Sequence, residues 1–440
     1  MWRYIPDLLA TPVPRYTSFP TAAEFGDDVG PADMASALDA IGMDEPVSLY
    51  LHVPYCREIC WYCGCNTGAA NRTGRVSAYL QRLGEEVDLV AARLGGRGVV
   101  RRIAWGGGSP NAIAPEAFDA IMARIARLFR CDDPVVSVEL DPRGFDLDWA
   151  AALSRNTVSR VSLGVQTFAD HVQKRIGRVQ PRSDIECTVS QLRDAGVASI
   201  NFDLMYGLPG QSAADLAETL DQAIAMRPER LAVFGYAHVP HLLPRQRRID
   251  ASALPGGQMR FEQAALAHEI LTGAGYQTIG FDHFAKPGDA IAVAARASTL
   301  RRNFQGFTED PSDVLIGLGA SAISAFPGWL LQNEKNAGRY HLRIGNGGLA
   351  TARGLRRTPL DRVIGRAIEG ILCAGRADLS GLPGLAAIRE DLGRFEREQL
   401  LRWFGDSLIL AGDALPYARG IAAALDPYRT QSRARFSNAV

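Results

Sequence analysis

The stretch "VSLYLHVPYCREICWYCGC" (47–65) joins two signals. Its first seven residues are rich in β-branched and aromatic side chains, the pattern of a strand in the interior of a sheet. Its second half places Cys56, Cys60, Cys63 and Cys65, four of the seven cysteines of the chain, within ten residues. The spacing is C-x3-C-x2-C with a further C-x-C. Several unstrained disulfides do not fit so short a segment. A structural zinc site usually draws on two separated pairs, and no second pair is present. Thiolates from one short loop suit an iron–sulfur cluster. A 4Fe-4S cubane held by three cysteines keeps one iron free of protein ligands, a position able to chelate the amino and carboxylate groups of S-adenosylmethionine. Cys65 is then either a fourth ligand or a neighbour that does not bind.

Working outward, strand-like and helix-like segments alternate. "VSLYLHVP" (47–54) precedes a helical pattern at about 75–94, and "VVRRIAW" (99–105) precedes one near 115–129. "VVSVEL" (135–140), "VSRVSLGV" (158–165), "ASINFDLMYG" (198–207) and "RLAVFGYAH" (230–238) are each followed by helical segments, and "YQTIGF" (276–281) reads as a further strand. Such alternation predicts parallel βα units. The unusual residues fall at the strand ends: the cysteines after the first, Gly106–Pro110 after the second, then Glu139, Gln166, Asp203, and Ala237 with His238. Ligands bind at the C-terminal ends of parallel strands. Six successive strands marked there favour an α/β fold in which an incomplete parallel (β/α) barrel carries the site, over a doubly wound sheet. The expected organisation is an N-terminal arm with one short helix (1–46), the partial barrel (47–355), and a smaller, mostly helical C-terminal domain (356–440).

Composition is that of an ordinary globular protein, 47% hydrophobic and 22% charged, with a formal net charge of zero. The balance gives no electrostatic argument for nucleic acid or an anionic membrane. No apolar run suits a signal peptide or a membrane span, so a reducing cytoplasmic setting is expected. Of 48 basic residues only Lys174, Lys286 and Lys335 are lysine, which leaves many arginine forks suited to carboxylates. No heptad or apolar stripe argues for an oligomer, and a monomer is expected.

"YLHVPYCREICWYCGC" resembles the cluster-binding loop of radical S-adenosylmethionine enzymes. Together with "PRYTSFPTA" (14–22), "WGGGSP", "VELDP", "SLGVQ", "DLMYGLPGQ", "YAHVP", "DHFA" and "NFQGF", and with the extra Cys65, the chain resembles the oxygen-independent coproporphyrinogen III oxidases over nearly its whole length. Ser109 stands where that family usually has Thr. The resemblance implies oxidative decarboxylation of two propionates of coproporphyrinogen III to vinyl groups, giving protoporphyrinogen IX in anaerobic haem synthesis. It implies one 4Fe-4S cluster on Cys56, Cys60 and Cys63, and two molecules of S-adenosylmethionine. Tyr50, Gly107 and Glu139 would contact the first. Tyr62, Gly108, Ser109, Gln166, Arg178, Asp203, Ala237 and Ile323 match positions associated with the two molecules, and His52 and Cys65 positions implicated in activity. A low-potential electron donor such as flavodoxin or ferredoxin is implied as a partner.

Each residue has a plainer reading. Gly107 and Gly108 suit any tight turn, Glu139 and Arg178 a solvated surface, Gln166 a buried backbone partner, and His283 a satisfied interior histidine. Arg302 is either a propionate contact or a surface residue. The arm, with Arg15 and Tyr16, and the C-terminal domain are expected to close the open side of the barrel. The alternatives are a haem-binding chaperone, or another tetrapyrrole-modifying radical enzyme, on the same scaffold.

Overall fold

A computed structural model describes residues 2–70 and 73–429. The helical patterning expected beyond Arg429 lies outside these. Six parallel strands, β1 (Pro46–Val53), β2 (Val99–Gly107), β3 (Cys131–Leu140), β4 (Val158–Gln166), β5 (Ser199–Tyr206) and β6 (Arg230–Gly235), are hydrogen-bonded in sequence order. The crossover helices are α1 (Thr73–Leu94), α2 (Pro115–Leu128), α3 (Leu147–Arg155), α4 (Arg182–Asp194) and α5 (Ala213–Ala225), and α6 (Gly257–Gly273) follows β6. The local reasons are legible. Pro115 opens α2 where its missing N–H is not needed. Ser212 and Asp215 form a reciprocal capping box at the start of α5. Along α1, Val76, Tyr79, Leu83, Val87, Val90 and Leu94 recur at three- and four-residue steps and are buried.

The strands decide how the sheet is used. Their alternate residues face opposite sides. One set, with Leu49, Ile103, Trp105, Val136, Val138, Leu163 and Phe202, is buried in a continuous apolar cluster with the helices. The other set includes Ser48, Arg102, Glu139, Arg160, Ser162, Asn201, Asp203 and Arg230, which line a cavity of ≈ 360 Å³ inside the curved sheet. The fold is therefore apolar between sheet and helices and polar within the barrel. One end of the cavity is plugged by Glu309, which pairs with Arg102 at 2.5 Å and with Arg160. Burial pushes the Glu309 carboxyl up, but Arg160, Arg102 and Arg230 outweigh it and bring it to about 2.

The sheet does not close. Beyond β6 it continues antiparallel through His283–Ala285 to Gln277–Ile279. Beyond β1 it continues through Val314–Leu318, parallel to β1, and then antiparallel through Ile323–Phe326, Trp329–Asn333 and Thr351–Arg356. The two outer strands of this twelve-stranded sheet do not pair. A hairpin, Arg301–Asn303 with Gly306–Thr308, lies between them in sequence. "YQTIGF" is thus an antiparallel edge strand and not a further parallel unit. Three sequence placements shift by a few residues. Ala237 and His238 lie beyond the end of β6, and Asp203 lies within β5 and not at its end.

The C-terminal region begins with α7 (Pro359–Ala374), capped by a Thr358–Asp361 box and ended by a left-handed Gly375. It is not wholly helical: Arg376–Asp378, Ser407–Leu410 and Leu401–Phe404 form a three-stranded antiparallel sheet beside helix Leu385–Arg397. These strands are only three or four residues long, too short for a period of two to stand out in the sequence. The N-terminal arm lies between the barrel and this region. The Tyr417 hydroxyl accepts from Ile5 N and donates to Arg3 O, Tyr16 donates to Asp426 Oδ2 at 3.0 Å, and Trp2 packs on His268. No helix of the described residues is long and apolar enough to cross a membrane.

Candidate active site

The cysteine loop leaves β1 at Pro54. It is clipped by a two-residue parallel bridge, Tyr55–Cys56 with Gly68–Ala69. All four cysteines are free of disulfides; Cys56 and Cys60 are buried, Cys63 half-buried and Cys65 exposed. Three sulfurs accept from donors on other segments or within the loop. Ser109 Oγ lies 3.7 Å from Cys56 Sγ. Arg178 and Arg143 donate to Cys60 Sγ at 3.3 and 3.4 Å. Cys65 N donates to Cys63 Sγ at 3.4 Å.

Among the described residues, no three His, Cys, Asp or Glu side chains converge as ligands of a single metal ion. A set of three thiols on one loop, each sulfur already met by a hydrogen-bond donor, fits an iron–sulfur cluster, whose potential such donors tune. Burial pushes the Cys56 thiol up to about 11, so it releases its proton only to a cation that replaces it. Cys63 is lowered to about 6, first by the hydrogen bond from Cys65, and Cys65 is raised in turn. The proton shared by these two thiols therefore resides on Cys65.

The glycines of "WGGGSP" let the end of β2 meet this loop. A β-carbon on Gly108 would lie 2.4 Å from the Tyr55 carbonyl oxygen, and on Gly107 (φ +110°) 2.5 Å from the His52 ring. Both glycines are required by neighbouring protein groups, which is the turn reading made specific. Gly107 N also donates to Glu139 Oε2 at 3.1 Å. Tyr50 and His52 project from β1 and are linked by a 3.0 Å hydrogen bond to His52 Nδ1, while His52 Nε2 faces Ser321 Oγ at 3.2 Å. Burial brings His52 down to about 4, so its ring is neutral at ordinary pH.

Glu139 and Asp203 both line the central cavity, as does His283, which lies level with Asp203 across Ala232 of β6. Burial raises both carboxyls, Glu139 to about 7. Asp203 is held by Ser162 and Asn201 at 2.8 and 2.9 Å. Neither acid is a solvated surface charge. His283 hydrogen-bonds Asp282 and packs edge-on against Phe234 and Phe307, so its interior reading and its place in the cavity both hold.

Arg178 is buried, and the solvated-helix reading is wrong for it. Its donors are spent on Asp141, Gly164 O, Gln180 and Cys60. Gln166 is buried at the end of β4 with φ +67°. Gln246 donates to both Tyr62 O and Ala237 O, tying the cysteine loop to the segment after β6. Ile323 stands apart, in a second pocket that reaches Tyr50 through Phe304, whose ring meets Tyr50 at 4.8 Å.

The sequence reading missed Asp141, Arg143 and Ser321. Asp141 and Arg143 sit in and just after the "VELDP" motif, so their place was visible, although the contact of Arg143 with Cys60 and the pairing of Asp141 with Arg143 and Arg178 were not. Ser321 has no sequence signal beyond a turn.

A profile of the Radical SAM superfamily matches residues 50–223. The chain is 42% identical over 437 residues to the oxygen-independent coproporphyrinogen III oxidase of Bradyrhizobium diazoefficiens, covering 97% of each protein. This chain belongs to the oxygen-independent coproporphyrinogen III oxidase family. The Pseudomonas aeruginosa member is 37% identical over 441 residues, covering 97% of this chain and 96% of that protein. The structure of the Escherichia coli coproporphyrinogen III oxidase HemN, a radical SAM enzyme, superposes with a TM-score of 0.91 at 32% identity, covering 97% of this chain and 99% of that one. As a coproporphyrinogen III oxidase family member, the chain is a radical SAM enzyme that uses a 4Fe-4S cluster and S-adenosylmethionine.

Proposed function

We propose that this enzyme converts two propionates of coproporphyrinogen III to vinyl groups, yielding protoporphyrinogen IX without oxygen. The observation that carries the reading is the cysteine loop, its sulfurs met by Ser109, Arg143 and Arg178, at the mouth of a polar, incomplete barrel. Each conversion passes one hydrogen atom from the β-carbon to the radical and one electron to a one-electron acceptor as carbon dioxide leaves, so one S-adenosylmethionine is used per propionate and two per product. Bound together, cluster and S-adenosylmethionine supply a hydrogen-abstracting carbon radical.

The residues of the chain would do the rest. Cys56, Cys60 and Cys63 ligate the cluster. Tyr50, Gly107 and Glu139 hold the first S-adenosylmethionine; a carboxyl raised to about 7 takes up full charge beside an ammonium. Tyr62, Gly108, Ser109, Gln166, Asp203, Ala237 and Ile323 contact the two molecules, and Arg178 positions them without touching either. Arg178 does so through the groups it fixes, since its own donors are occupied. His52, neutral and held between Tyr50 and Ser321, orients the end of β1. Cys65 presents a protonated thiol to the mouth. An acidic low-potential carrier such as flavodoxin or ferredoxin supplies the electron, and the arm with the C-terminal region covers the opening.

The test is anaerobic reconstitution with iron and sulfide, then incubation with coproporphyrinogen III, S-adenosylmethionine and dithionite. Protoporphyrinogen IX is expected from the wild type. Cys56→Ala, Cys60→Ala and Cys63→Ala should each lose both cluster absorbance and product, whereas Cys65→Ala keeps the cluster. A loaded protein that leaves coproporphyrinogen unchanged would overturn the reading.

A further inference from the structure

The pocket that holds Ile323, of ≈ 440 Å³, has an uneven charge. Its floor is apolar, with Leu315, Ala325 and Leu330, and residues 16–19 of the arm border it. Five arginines and three acids line it. The acids are already used: Asp313 and Glu369 both pair with Arg301, at 2.9 and 3.2 Å, and Asp310 is hydrogen-bonded to Ser48 and lies 3.6 Å from Arg102, outside the pocket. Arg302, Arg357, Arg362 and Arg366 form no ion pair among the described residues, although Asp282 and Glu369 lie near Arg302, and Asp361, Asp313 and Glu369 near Arg357. Two of their nitrogens, Arg302 Nη1 and Arg357 Nε, are buried with no hydrogen-bond partner. A buried guanidinium N–H without an acceptor is costly, and the guanidinium groups here outnumber the acids that face them.

We propose that this pocket is a carboxylate subsite, in which Arg302, Arg357, Arg362 and Arg366 grip propionates on one edge of the tetrapyrrole while its ring lies over the apolar floor. The fit is chemical: guanidinium forks match carboxylates in geometry and charge. The position is also suitable. Asn303 and Asp310 line both this pocket and the central cavity, and Phe304 joins it to Tyr50. A substrate gripped here by one edge extends its opposite edge toward the cysteine loop. Arg302 is stacked on Phe307 at 4.3 Å and anchored on the carbonyls of Arg15 and Tyr16, so its remaining nitrogen is fixed in direction. The inference rests on the proposed reaction only for the identity of the carboxylate.

The test uses the reconstituted holoenzyme and two fluorescent probes, coproporphyrin III and its tetramethyl ester. Wild type should bind the tetra-acid at least tenfold more tightly than the ester. Arg362→Gln with Arg366→Gln, changes on the accessible side of the pocket, should weaken the acid about tenfold or more and leave the ester unchanged; Arg357→Gln should do the same. In turnover, KM for coproporphyrinogen III should rise with kcat nearly unchanged. Equal binding of acid and ester by wild type, or unaltered acid binding by the variants, overturns the subsite. Arginine-dependent binding with no vinyl product would instead overturn the proposed reaction and leave the subsite standing. Vinyl product at wild-type KM in the arginine variants would do the reverse.

Discussion

His52 shows how one side chain registers its surroundings. It is buried against Gly107, whose missing side chain leaves room for the ring, and burial lowers its pKa to about 4. A histidine that resists protonation when folded binds fewer protons than the unfolded chain between pH 6.5 and 4. Its contribution to stability is therefore intact above pH 6.5 and is lost as pH falls through that window. His52→Gln should flatten the decline of the melting temperature between pH 6.5 and 4, measured by thermal scans across pH. A decline as steep as that of the wild type would show that other groups carry it. Glu139 works in the opposite sense: its raised pKa costs stability increasingly as pH rises from the usual carboxylate range to about 7.

At the scale of elements, the junction of β2 with the cysteine loop is the tightest constraint near the site. Gly108 N donates to Val53 O and Ser109 N to Tyr55 O, both at 2.8 Å. Gly108→Ala must push the Tyr55 backbone aside, an overpacking expected to cost about 1–3 kcal/mol. It should also loosen Ser109 from Cys56. The expected outcome is a lower melting temperature together with reduced iron retention after desalting; unchanged iron retention would mean that the loop does not depend on this junction. The βα units were legible because each is a strand of mixed β-branched residues followed by a long amphipathic helix. The strands between 301 and 356 were not read. They run three to six residues, and those beyond residue 313 are buried by the sheet they extend and not by a pattern of their own. The site was legible as residues at strand ends. What escaped was reach: Arg143 and Arg178 arrive at Cys60 through tertiary folding, with nothing in their local spacing to say so.

For the whole molecule, a formal charge of zero conceals an uneven distribution. The outer face around the cysteine loop is basic. Arg248 lies over Trp61 at 5.7 Å, Arg245 donates to Thr67, Asn66 donates to the Lys335 carbonyl, and Trp61 N donates to the carbonyl of Ile176, which ends the helix bearing Lys174 and Arg175. Such a face would suit the acidic electron carrier proposed above. Lys174→Glu with Arg248→Glu should slow turnover driven by reduced flavodoxin about tenfold at low salt, lose that difference at high salt, and leave dithionite-driven turnover unchanged. Equal slowing with both reductants would remove the carrier from this face.

The arm has a further consequence. Ile5 and Tyr417 are bound to each other although 412 residues separate them, and Tyr16 waits for Asp426 across 410. During translation the barrel emerges complete while the partners of the arm are still unmade. The cover proposed for the barrel can therefore form only after the barrel itself is made, and the cysteine loop is open to iron and sulfide in that interval.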